Sequence, residues 1–255
     1  MLDLLKFIIK DILKNKTILG FTVFLVLISW SVFSLEDSDN KALHTLGNLV
    51  LMVIPLIAIL FSTIYVYNSN EFIELLASQP LKRSMIWTSL FIGICVSLMI
   101  SLILSGGISI LIFTPTKLGL IIILLGAVLS VVFTSIGFLS SILFKDKARG
   151  IGMSMIIWLF FALIFDGLVL FLLFQFSDYP IEKPMTILAA LSPIDISRIT
   201  LLMEMDSAAL MGYTGALFKK QFGSTNGAIF IALILVSWAT LPYLWSLRRF
   251  MKKDI

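Results

Sequence analysis

Six long apolar runs divide the chain, at roughly 17–34, 45–66, 86–113, 118–143, 151–176 and 226–247. Each is near or above the ~20 residues that carry an α-helix across about 30 Å of hydrocarbon. The runs are continuously apolar rather than alternating, so they predict membrane helices and not the strands of a barrel. Ahead of them, Leu4, Leu5, Ile8, Ile9, Ile12 and Leu13 recur at helical spacing against Asp3, Lys6, Lys10, Asp11, Lys14 and Lys16. That stripe predicts an interfacial helix over 1–16, apolar side in the headgroup boundary and lysines reaching toward anionic lipid. No small-residue cleavage site closes the next apolar run, so this is not the pattern of a cleavable signal peptide.

Two polar interruptions stand out. In the first, within 67–85, Asn68 followed three residues later by Glu71 predicts a capped helix start. The helix would carry Phe72, Leu75, Leu76 and Gln79 along one side and stop at Pro80, which has no N–H to give and clashes with the preceding turn. The second, 177–225, is too long for a mere connector and predicts two amphipathic helices lying on the outer leaflet or on each other. One would start at Ser192-Pro193 with Asp195 in its first turn, the other at Asp206-Ser207.

Composition fixes the solvent. With 59% hydrophobic and 13% charged residues and a mean hydropathy of +1.07, the chain belongs in lipid. The net charge of +4 resides at segment ends rather than in one patch, which marks topology and not nucleic-acid binding. With the N-terminus inside, the cytoplasmic set is Lys6, Lys10, Lys14, Lys16, Lys82, Arg83, Lys145, Lys147, Arg149, Arg248, Arg249, Lys252 and Lys253, 13 of the 19 basic residues. Both termini are therefore expected in the cytoplasm, with 67–85 as the larger inner loop and 177–225 outside. One integral domain, 1–255, is the simplest organisation. No nucleotide-binding G-x-x-x-x-G-K-[ST], H-E-x-x-H or G-x-S-x-G motif is present, so energy for any uphill work must come from another chain. An intramembrane enzyme is disfavoured, because no paired acids or nucleophile–base set appears within the spans.

Asp166 sits inside the fifth run, where an acid costs about 2.5–3.5 kcal/mol on insertion scales. Two readings stand side by side: a polar lining of a route or seam, or a protonated acid bonded to a Ser or Thr on a neighbouring span. Met185, Met203, Met205 and Met211 carry thioethers suited to Cu(I), and His44 lies in the first outer loop, but the methionines form no tight cluster and read as packing. Cys95 and His44, single in the chain, exclude a disulfide framework and multi-His sites. No residue is assigned as a metal ligand. Ser105-Gly106-Gly107 and Pro55 read as kinks or close-packing points.

An N-terminal interfacial helix, six spans, a short helix between spans two and three and a large segment before span six together resemble the ABC-2 type transporter permeases. Three stretches look more specifically like the NosY-like permeases, which serve maturation of the copper sites of nitrous-oxide reductase: Glu71-Phe-Ile-Glu-Leu-Leu-Ala-Ser-Gln-Pro-Leu-Lys-Arg83; Lys147-Ala-Arg-Gly-Ile-Gly152 running into Trp158–Asp166; and Leu191-Ser-Pro-Ile-Asp-Ile-Ser-Arg198 with Ser207–Gly215. The resemblance implies an all-α, multi-pass permease of the bacterial inner membrane, working as a homodimer in contact with membrane lipid. It implies no cofactor of its own, ATP being used by a separate NosF-like ABC ATPase, and a NosD-like periplasmic partner. Glu71, Phe72, Glu74, Leu75, Gln79 and Pro80 would then form the ATPase-coupling helix, Asp166 an intramembrane polar site, and Pro193, Asp195, Arg198 and Tyr213 the contact for the periplasmic partner. Acids at 71 and 74 would be repelled by anionic lipid, which favours a protein partner over a headgroup. Two further functions stay open: an exporter of lipid, drug or polysaccharide, and a non-transporting scaffold that transmits motion.

Overall fold

The computed structural model describes residues 2–36, 38–175, 188–204 and 225–252; these residues are helical throughout their regular structure and include no strand. Helix α1 (Leu2–Leu13) leads into α2 (Lys16–Leu35). Next come α3 (Asp39–Asn68) and the short α4 (Asn70–Ala77). Helix α5 (Arg83–Leu102) continues through a π-helical turn, Ile103–Gly107, into α6 (Ile108–Phe113). Then come α7 (Lys117–Leu143), α8 (Lys147–Leu159), a second π turn (Phe160–Ile164) and α9 (Phe165–Gln175). Helices α10 (Pro193–Glu204) and α11 (Thr225–Met251) complete the order.

Six stretches are long and apolar enough to cross a membrane: Lys16–Leu35, Asp39–Asn68, Arg83–Phe113, Lys117–Leu143, Lys147–Val169 and Gly227–Met251. They coincide with the six apolar runs. α3 begins before the predicted position 45 because its first turns hold Asp39 and Lys41, which lower hydropathy while the acid favours a helix N-terminus. Side-chain caps set other starts: Asn15 Oδ1 accepts from the Thr17 N–H at 2.9 Å, and Asp146 Oδ1 from the Arg149 N–H at 2.8 Å.

α3 and α7 form the centre of the bundle. Between helices in lipid the hydrophobic drive is absent, so small residues and hydroxyl bonds hold them together. A Cβ at Gly137 would run into Ser62 and the Ile59 carbonyl, so glycine sets the approach of α3 and α7. Thr63 Oγ1 lies 2.8 Å from Ser154 Oγ on α8 and 3.2 Å from the Gly137 carbonyl, joining three spans at one point. On the other side, Thr22 of α2 and Ser101 of α5 share a hydroxyl bond of 2.5 Å. α11 closes the bundle against α5 and α7, with Trp87 Nε1 donating to Ser246 Oγ at 3.1 Å. Leu120, Leu124, Leu233, Val236 and Leu241 point outward from these helices. A rim of large apolar side chains on helices of this length belongs in hydrocarbon, and the chain is a multi-pass membrane protein.

α1 and the end of α11 lie at the same end of the bundle as α4, the terminal end. Tyr65 OH, near the end of α3, donates to Asp11 Oδ2 of α1 at 3.0 Å, and Phe250 of α11 stacks on Trp87 at 4.3 Å. α1 turns part of its apolar stripe onto the bundle. Ile8 and Ile12 are completely buried on α5, where a Cβ at Gly93 would overlap Ile8. Leu4, Leu5, Ile9 and Leu13 of the same stripe are half-buried and Phe7 is exposed, so protein covers only part of it.

Candidate functional site

α4 is built at the terminal end by its immediate neighbours. The predicted cap by Asn68 does not form: Asn68 belongs to the last turn of α3, Ser69 precedes α4, and Asn68 Oδ1 accepts from Lys147 Nζ at 2.7 Å. A charged donor on α8 outcompetes the local backbone for that oxygen. The helix gives out just ahead of Pro80, as a proline requires. The helix ends at Ala77, where Ser78 Oγ donates to the Leu75 carbonyl at 2.8 Å, a side-chain bond that takes the place of the next helical turn.

This short helix has two unlike faces. Ile73 and Leu76 are buried toward α5 and α3, and Phe72 is half-buried with its ring 5.9 Å from that of Phe7 on α1. Glu71, Glu74 and Leu75 point out, with Leu75 58% exposed, and Gln79 and Pro80 come next as exposed residues beyond the helix. The expected single side of Phe72, Leu75, Leu76 and Gln79 is therefore split: Phe72 and Leu76 anchor the rod, while Leu75 joins the acids on the free face. The segment 144–150 braces the end of α3 from which α4 starts. Tyr67 OH donates to the Phe144 carbonyl at 2.7 Å, and a Cβ at Gly150 would strike the Tyr67 ring. A rigid rod that shows two carboxylates and a leucine, fixed along its other side, is suited to being gripped.

The second polar cluster joins α9 to α10. The π turn at Phe160–Ile164 accommodates an extra residue and so rotates the start of α9 by about 100°. Asp166, two residues beyond the turn, meets Arg198: Arg198 Nη1 lies 2.7 Å from Asp166 Oδ1 and 3.4 Å from Asp195 Oδ1. The side chains of Arg198 and Asp166 are 29% and 41% exposed. Asp195 is 7% exposed, and its Oδ2 has no hydrogen-bond partner among the described residues. Burial pushes its carboxyl above the ordinary aspartate value, opposed by the Ser192 bond and by Arg198. The intramembrane acid thus pairs with an arginine, a partner contained in neither of the two readings that its sequence position supports.

The start of α10 agrees with its sequence signature. Asp195 N–H donates to Ser192 Oγ at 3.2 Å, and Pro193 occupies the first turn. Its placement does not agree with the expectation of an outer-leaflet helix. Residues Pro193 to Ser197 are consecutively buried, so the first turn is enclosed rather than laid on a surface, packed against α7, α3 and α11. Leu201 fills the space over Gly47, and Glu204 pairs with Lys117 Nζ at 2.8 Å at the far end. Among the residues expected to meet an outer partner, Pro193 and Asp195 are covered by the chain's own helices, and Arg198 is engaged by Asp166. Tyr213, Met185, Met205, Met211 and the start at Asp206-Ser207 lie outside the described residues, while Met203 packs against the core and His44 Nδ1 is 3.1 Å from Asn48 Nδ2.

Residues 6–255 match the family of ABC-2 family transporter proteins. The chain belongs to that family. No curated protein matches it. Membership makes this chain a membrane component of an ABC-2 transporter and implies an ABC ATPase partner. The two clusters differ in exposure. The α4 rod offers an outward-facing acidic and apolar surface at the terminal end, and the α9–α10 pair holds an enclosed helix among the spans. Sequence reasoning missed the pairings Asp166–Arg198 and Asn68–Lys147. The opposite charges were visible, but the π turn that aims Asp166 leaves no composition signal.

Proposed function

We propose that this ABC-2 permease is the membrane subunit of an exporter or motion-transmitting complex in which a separate ABC ATPase seats on α4. The terminal end faces the cytoplasm of a bacterial inner membrane, as 13 of the 19 basic residues favour. The carrying observation is the outward face of α4, where Glu71, Glu74 and Leu75 are exposed while Ile73 and Leu76 anchor the helix. Leu75 and Phe72 supply apolar contact, the carboxylates meet basic residues of the ATPase, and Gln79 and Pro80 rim the contact. Two copies of the chain form the working unit.

The cargo reading rests on the stretches at 71–83, 147–166 and 191–215, which support a NosY-like role with a NosF-like ATPase and a NosD-like outer partner in copper-site maturation of nitrous-oxide reductase. A scaffold that transmits ATP-driven motion without moving cargo is the second reading, favoured by the burial of Pro193–Ser197 and the tie of Arg198 to a span.

Charge reversal at Glu71→Lys with Glu74→Lys tests the docking. Co-purification of the co-expressed ATPase is expected to fall more than about tenfold with the membrane subunit still folded; undiminished co-purification contradicts docking at α4. For the cargo, deletion of the gene is expected to leave nitrous-oxide reductase without its full copper content, and normal copper loading would return the assignment to a general exporter.

A further inference from the structure

Arg198 faces two carboxylates from one nitrogen. Asp166 lies across the gap on α9 at 2.7 Å, and Asp195 lies on Arg198's own helix at 3.4 Å. Asp195 is the unusual member. It is nearly enclosed, yet only one of its oxygens is used, and Oδ2 is left without a partner among the described residues. A guanidinium carries several donors in a planar fork and engages a carboxylate best with two of them. Arg198 therefore holds an incomplete bond to Asp195 while spending its short contact on Asp166.

We propose that Arg198 is a two-position latch, bonded across to Asp166 when α10 is seated against α9 and transferred to a full, two-oxygen bond with Asp195 when α10 moves away. The proposal rests on the reading of the chain as an ATP-driven membrane subunit. A latch closed by an ion pair alone would leave a bare guanidinium on opening, at heavy desolvation cost. The reserve carboxylate on the same helix removes that cost, because Asp195 travels with Arg198. Beyond the enclosed first turn, which acts as the pivot, the contacts of α10 are sparse in charge. Leu201 rests over Gly47, a seat without a side chain, and the Lys117–Glu204 pair at its far end is exposed and weak.

The test uses the full chain in lipid nanodiscs with its co-expressed ATPase. Cys95, the sole cysteine, is replaced by serine, and Ser197→Cys, a near-isosteric change at a fully buried position of α10, reports whether the helix is seated, through its rate of alkylation by N-ethylmaleimide. Asp166→Asn is expected to raise that rate about fivefold, and Asp195→Asn, which removes the reserve position and confines Arg198 to Asp166, to lower it by a similar factor. A merely structural cluster predicts faster alkylation in both variants; that result, or equal rates in all three proteins, overturns the latch. ATP turnover in the same samples separates the two levels. Opposite alkylation shifts with no stimulation of the ATPase by the wild-type chain keep the latch and remove the ATP-driven reading.

Discussion

The two polar interruptions of this apolar chain use carboxylates in opposite ways. At α4 the acids Glu71 and Glu74 are left outside while apolar Ile73 and Leu76 fix the helix to the bundle. At α10 the acid Asp195 is taken inside together with Pro193, Ile194, Ile196 and Ser197. An ionised group can be left in water without cost, but one taken inside must be matched, and at the buried end an arginine lies within reach of both acids. Exposed carboxylates on an anchored rod stay available to another molecule. Enclosed ones bound to a neighbouring span mark an internal contact.

The same substitution at the two ends breaks or sustains that contrast most visibly. Leu201→Ala removes a 2%-exposed side chain from its seat over Gly47 and should destabilise the detergent-solubilised protein by about 2–4 kcal/mol, read as a lower thermal midpoint. Leu75→Ala should leave the midpoint within about 0.5 kcal/mol of wild type yet weaken ATPase binding by about tenfold, read by titration of the ATPase. Equal destabilisation at both positions would erase the distinction.

Arg198→Ala comes next. It leaves Asp195 enclosed without its counter-charge, but the half-exposed Asp166 can be hydrated, so a loss of about 1–2 kcal/mol is expected from the same thermal measurement. Lys117→Ala removes an exposed pair with Glu204 and should change the midpoint by less than about 1 kcal/mol. Smallest is the pH dependence of Asp195. Its folded value is raised by burial, so the folded protein holds a proton that the unfolded chain has already lost, and stability falls as pH rises from the ordinary aspartate value through the raised one. Asp195→Asn should flatten that slope in thermal scans across this range.

Much of the fold was readable because lipid imposes one rule on every span. Continuous apolar runs of sufficient length become helices, and Ser192-Pro193 with Asp195 marked the start of α10 through local chemistry alone. The hidden features depend on neighbours distant in sequence. Ile8 and Ile12 form a stripe that fits lipid and the bare surface at Gly93 alike. Asn68 had a sound local use as a cap until Lys147 reached it. Asp166 was conspicuous as an acid in an apolar run, but its partner could not be read because the π turn at Phe160–Ile164 shifts the helical register without a proline or a charge to announce it.

Hydrogen exchange on the nanodisc-embedded chain, with and without its ATPase, tests the central claim most directly. The account predicts slowed exchange at Glu71–Ala77 on ATPase binding without nucleotide, and unchanged protection at Pro193–Glu204 under the same conditions. Unchanged exchange across Glu71–Ala77 in a demonstrably bound complex would contradict it.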